Sequence, residues 1–156
     1  MPRDGSIDAF GMLRNSHRRL LERLEDLRTA ASGPLDDERR ATIDDVLGFL
    51  GRAVRRHEAD EEASLFPRLA AHPEFAALAG QLTAEHATQA ELAEALGYAL
   101  DADDGDTLRR LADDLAASYV RHVEREEREL FPAAERLLDD EARAAMLTEM
   151  DRRRGR

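Results

Sequence analysis

His57 to Pro67 reads HEADEEASLFP, and His122 to Pro132 reads HVEREERELFP. Both follow the pattern H-x-x-x-E-E-x-x-L-F-P in register, so the chain carries an internal repeat. In a helix, residues four apart stand one above the other on one face. His57 therefore projects with Glu61, and His122 with Glu126. An imidazole and a carboxylate one turn apart make half of a metal site, and two copies can make a whole one.

The repeat sits within helical patterning on both sides. From Ser6, an expected N-cap, the residues Phe10, Leu13, His17, Leu20, Leu24 and Leu27 recur at spacings of three and four, the buried stripe of a bundle helix. Ser32-Gly33-Pro34 ends it. Asp36 or Asp37 caps a second helix whose stripe runs Ile43, Val46, Leu47, Leu50, Val54, His57, Glu61 and Leu65. Phe66-Pro67 is expected to kink or interrupt this helix, and Ala71-His72-Pro73 to form a turn with His72 at the surface.

A third helix, roughly Glu74 to Leu100, carries Leu78, Leu82, His86, Ala90, Ala93, Leu96 and Leu100. The loop DADDGDT fails as a calcium loop, because Gly105 at position six puts Leu100 at position one and Leu111 at position twelve. It reads as a polar turn with Asp106 capping the fourth helix. That helix shows Leu108, Leu111, Leu115, Tyr119, His122, Glu126 and Leu130, followed by the second Phe-Pro. A last amphipathic helix spans Leu138 to Met150. The expected fold is all-α, an up-down-up-down four-helix bundle over about residues 6–131 with a C-terminal helical segment over 132–153, all in one domain 1–156.

Composition narrows the function. The chain has 156 residues, enough for a proper core, and a net charge of -11, which argues against nucleic acid and anionic membranes as partners. Without cysteine there is no disulfide, iron–sulfur or thiol chemistry. The N-terminal MPRDGSIDAF has no apolar signal segment and no run reaches the length of a membrane span, so a cytoplasmic location is expected. The C-terminal RRRGR is expected to fray in solvent.

One histidine on an apolar stripe is usually a satisfied core residue. Here each of the four bundle helices carries one, at His17, His57, His86 and His122, and two stripes add a carboxylate. No Lys or Arg lies on these stripes to compensate the buried acids, so a metal cation is the consistent partner. So many imidazoles and carboxylates exceed one tetrahedral zinc and suit two first-row ions, iron before manganese or a mixed pair. The Glu-x-x-His pairs of ferritin-like proteins are absent: Arg14, Val54, Thr83 and Tyr119 stand three before the histidines.

With its histidines and both H-x-x-x-E pairs on separate helices, the chain resembles the hemerythrin-like, or HHE cation-binding, domains over nearly its whole length. The resemblance implies a four-helix bundle holding two non-haem iron ions with an oxo, hydroxo or water bridge. His17 and His57 would ligate one iron and His86 and His122 the other, with Glu61 and Glu126 bridging. Oxygen carriers of that family have a further histidine at the position of Ala90 and an aspartate where Glu127 stands. Glu126 fits better as the bridge, since four residues bring it within about 40° of His122 on the helix. Glu58 is the candidate to replace the missing imidazole, as in some relatives, and a third carboxylate favours the ferric state over reversible oxygen carriage.

The implied function is a redox-active protein that reacts with or senses oxygen, peroxide or nitric oxide, with catalase-like peroxide disproportionation its most concrete enzymatic form. Tyr119, one turn before His122, is a candidate proton donor or a core aromatic. The alternative is a non-enzymatic oxygen or iron sensor or store, which would signal through a separate protein partner. The alternatives separate on whether an open position faces a small pocket, which depends on Leu20, Leu21, Leu50 and Val54.

Overall fold

The computed structural model describes residues 7–156, and these are helical apart from short connections. Helix α1 runs Ala9–Ala31, and α2, Asp37–Phe49, begins the second rod. That rod continues without a break through a π-helical turn Leu50–Val54, α3 Arg55–Asp60, a second π-helical turn Glu61–Leu65, and α4 Phe66–Leu69. Helix α5, Pro73–Asp101, forms the third rod. The fourth comprises α6 Gly105–Arg125, a π-helical turn Glu126–Leu130, and α7 Phe131–Leu137. Helix α8, Asp140–Arg153, closes the chain.

Four helices, α1, α2, α6 and α8, start on a capping aspartate. The carboxylates of Asp8, Asp36, Asp104 and Asp139 accept the backbone N–H three residues on, satisfying donors that the first helical turn leaves open. The expected Ser6 cap lies outside the described residues, and Asp8 caps α1. Asp104, not Asp106, caps α6, so this helix begins earlier than its apolar stripe suggests. His72 is half-buried at the turn before α5.

The rods pack in a ring, α1 against α2 and α6, and α5 against α2 and α6. With short connections this is the antiparallel up-down-up-down bundle. Its interior is layered. One apolar cluster holds Leu24, Leu27, Ile43, Val46, Leu96, Leu108 and Leu115, and a second holds Phe10, Leu13, Leu65, Leu69, Leu82, Leu130 and Phe131. Between them lies a buried polar slab containing every stripe histidine with Glu58, Glu61 and Glu126.

Phe66-Pro67 and Phe131-Pro132 do not break their rods as expected; the helix widens instead. The N–H of Phe66 bonds the carbonyl of Glu61, and that of Phe131 the carbonyl of Glu126, each five residues back. Proline lacks an N–H and its ring crowds the carbonyl four residues before it, so a wider turn relieves the conflict while the helix continues. Both π-helical turns start at the repeat's first glutamate. Local pattern could not reveal them, and the third, Leu50–Val54, carries no proline at all.

The basic tail is also ordered differently from expectation. Asp60 is fully buried, and Arg153 and Arg154 reach it at 2.9 and 2.7 Å. Glu149 on α8 meets Arg68 at 2.8 Å and Ser64 at 2.6 Å, while Met146 and Met150 fill the second apolar cluster. Helix α8 is thus clamped to the rod carrying Glu61. Among the described residues no helix is long and apolar enough to cross a membrane.

Candidate metal centre

At the bundle centre the repeat's two halves face each other. The His17 and His57 rings lie 4.8 Å apart, and so do those of His86 and His122. Glu61 stands between the pairs: its Oε2 is 3.4 Å from His57 Nε2 and its Oε1 3.2 Å from His86 Nε2. Glu126, from the other repeat, also stands between the pairs but through one oxygen, with Oε1 2.9 Å from His122 Nε2 and 3.3 Å from His17 Nε2. The inner nitrogens of His86 and His122 approach to 3.1 Å.

These donor atoms form two groups that could hold a cation: His17, His57, Glu61 and Glu126 in one, and Glu61, His86 and His122 in the other. Spacings near 3 Å suit neighbouring ligands on one ion, since bonds of about 2.1 Å at right angles put donors about 3 Å apart. The fit has a second sign. His17 Nε2, both nitrogens of His57, and both carboxylate oxygens of Glu61 and of Glu126 are buried with no hydrogen-bond partner. Apart from the outer Nδ1 of His57, these orphaned polar atoms surround one point and are untenable unless a cation or protons join them.

Electrostatics supplies the protons when no metal is bound. Burial disfavours charge on His17, but hydrogen bonding and charge from Glu126 outweigh it and raise its pKa to about 9. The same contest, with Glu61 as the main opponent of burial, raises His86 to about 9. His122 is also raised, by Glu126 against burial. For Glu61, burial is overcome by His57, Glu126 and His86, which hold it well below the usual carboxylate range. Glu126 is pushed up, by burial first and then by the Glu61 charge. The metal-free centre therefore has an ionised Glu61 beside a protonation-prone Glu126.

Glu58 is buried and its Oε2 has no hydrogen-bond partner. It approaches His86 at Nδ1, the outer nitrogen, at 3.7 Å, and stands outside both donor groups. Burial raises its pKa, with His86 opposing. Beside it a groove of about 570 Å³ opens onto His86, lined by Ala59, Thr83, Ala87 and Ala90. Small side chains on facing helices, the Ala90 position among them, leave this gap. Tyr119 packs in the first apolar cluster, and burial followed by the Glu58 charge drives its phenol up, so it stays protonated.

A layer of carboxylates surrounds the inner donors. Glu127 contacts His17 Nδ1 at 2.7 Å, Glu62 contacts His86 Nδ1 at 2.8 Å, and Glu85 contacts His122 Nδ1 at 2.8 Å. Each fixes the ring so that Nε2 faces the centre, the arrangement that orients and strengthens metal-binding imidazoles. Two of the three were legible, because Glu62 and Glu127 are the second glutamates of the repeat. Glu85 has no such signal. It sits beside His86 in sequence yet serves His122 across the bundle, and Arg125 holds its other oxygen at 2.8 Å. Gln89, fully buried and bonded to Ser118, was likewise unforeseen.

No curated protein and no solved structure matches the chain. A family model does: the hemerythrin HHE cation-binding domain aligns with residues 8–134, from the cap of α1 to the middle of α7 and across every histidine of the cluster, leaving α8 as an addition. The bundle, the buried His/Glu centre and this match agree, and the chain belongs to the hemerythrin HHE cation-binding domain family.

Proposed function

We propose that the chain holds two non-haem iron ions and that this centre reacts with a small oxygen or nitrogen ligand: dioxygen, peroxide or nitric oxide. The observation that carries the reading is the unpartnered Glu61 carboxylate, with one oxygen turned to His57 and the other to His86, between two imidazole pairs. A buried carboxylate so placed is suited to bridge two ions. Bound iron supplies one-electron redox steps and Lewis acidity toward an oxygen ligand.

The protein's own residues set where that ligand arrives. The ligand is expected on the side of His86 and His122. The alanine-lined groove leads to that same side. Glu58, buried at the groove's inner edge with a raised pKa, is the proposed further ligand or the holder of a proton on Oε2, although its carboxylate here lies nearest the outer nitrogen of His86. The apolar clusters above and below keep bulk water from the slab. Peroxide disproportionation is the enzymatic form of this reading, and reversible binding without turnover is the sensor form.

Peroxide added to aerobically purified, iron-loaded protein separates the two. Oxygen evolution with loss of the visible absorption bands is expected. Bands that change only on reduction and re-oxygenation, without gas, would replace the enzymatic form by the sensor.

A further inference from the structure

Three of the four central histidines have an outer carboxylate, and among the described residues His57 has none. Its Nε2 faces Glu61 at 3.4 Å, which makes Nδ1 the outer nitrogen. A neutral imidazole that ligates through Nε2 carries its hydrogen on Nδ1, so this atom is a donor in need of an acceptor. It is buried and has no partner among the described residues.

His57 forms part of the wall of a cavity of about 30 Å³, whose polar side is Ser16, Arg19, Arg56 and Arg154 and whose apolar side is Leu20, Phe49, Ala53 and Val54. No acidic side chain lines it. Arg19 and Arg56 make no hydrogen bond or ion pair among the described residues, while Arg154 also reaches Asp60, whose charge Arg153 shares. In a chain of net charge -11, three arginines line one small cavity beside an unsatisfied N–H donor, Arg19 and Arg56 as exposed residues at its edge and Arg154 shared with Asp60. Guanidinium forks and an imidazole N–H match the oxygens of a planar oxyanion. The space exceeds the roughly 10–15 Å³ that one water needs and accommodates only a small group.

We propose that this cavity binds a small planar oxyanion of one-carbon carboxylate size. The anion accepts from His57 Nδ1 and supplies what Glu127, Glu62 and Glu85 supply to the other three rings. Anion occupancy would then tune the metal side held by His17 and His57. That consequence rests on the metal-centre reading, whereas the binding itself rests on the cavity and its arginines. Arg154 lies beyond the family match, so the site depends in part on this chain's own C-terminal helix.

The test is calorimetric titration of formate into metal-loaded protein at fixed ionic strength, with metal content measured on the same samples. One formate per chain is expected, with affinity about tenfold lower for Arg19→Gln and for Arg56→Gln. Ser16→Leu, which fills the cavity, is expected to abolish binding, and Arg109→Gln, outside the cavity wall, to leave it unchanged. Sulfate, being larger, is expected to compete poorly. The two exposed arginine variants keep the test decisive even where Ser16→Leu perturbs folding. No formate binding to the wild type, or equal affinity in wild type, Arg19→Gln and Arg56→Gln, overturns the proposal; the latter places formate on the metal or reports general charge. Arginine-dependent formate binding to protein that holds no metal would sustain the anion site while refuting the metal reading.

Discussion

At the scale of single residues, the centre is a competition between protons and metal. His17 and His86 are raised to about 9 in the metal-free fold, against about 6.5 unfolded. A raised folded pKa adds stability that is complete below the unfolded value and lost as pH climbs through the folded one. Chelator-treated protein is therefore expected to melt at lower temperature as pH rises from 6.5 to 9, read by circular dichroism. Metal loading runs the other way, weakening as pH falls through the same window, because the ligands must shed protons to bind. The outer carboxylates give a second expectation. Glu62→Ala, Glu85→Ala and Glu127→Ala should each weaken metal affinity about 10–100-fold in chelator competition, with Glu124→Ala, an exposed acid on α6, unchanged. Glu62 touches His86 Nδ1, although helix geometry alone turns it about 40° away from Glu58. It is Glu124→Gln that should be compared with Glu58→Gln, whose spectrum is expected to change. Helical position told which way Glu62 leaves its own helix, but not that the neighbouring helix brings His86 Nδ1 to meet it.

At the scale of elements, periodicity exposed the bundle because each stripe buries a continuous apolar face, and the interrupting histidines marked the centre at the same height on four rods. The widened turns stayed hidden, since a Phe-Pro pair reads equally as kink, break or π-helical turn, and neighbouring packing chooses. The clamp of α8 stayed hidden for a related reason. Asp60 is one acid among several in HEADEEASLFP, and its partners lie more than ninety residues away. Removing both arginines leaves a buried carboxylate uncompensated, a change that typically costs about 3–5 kcal/mol. Arg153→Ala with Arg154→Ala is expected to lower the denaturant midpoint accordingly. Since Asp60 precedes Glu61, the same variant should also lose metal to a chelator faster than an equally destabilised Met150→Ala protein.

At the scale of the whole molecule, two apolar clusters clamp a slab of charge that only a cation or protons make tenable. Ligands that bind the folded state alone add stability by mass action, about 4 kcal/mol at a thousandfold excess over Kd. Iron-loaded protein is therefore expected to melt well above the chelator-treated form. The sequence made the six inner donors legible because they interrupt the stripes at one level. The outer layer and the arginine cavity depend on side chains that meet only once the rods are assembled. Whether the repeat builds a two-ion centre is decided by elemental analysis of aerobically purified wild type, His57→Ala and His122→Ala. Two iron per chain in the wild type, falling sharply in both variants while the helical circular dichroism persists, is the expected result. Folded variants that retain the full wild-type iron would contradict it.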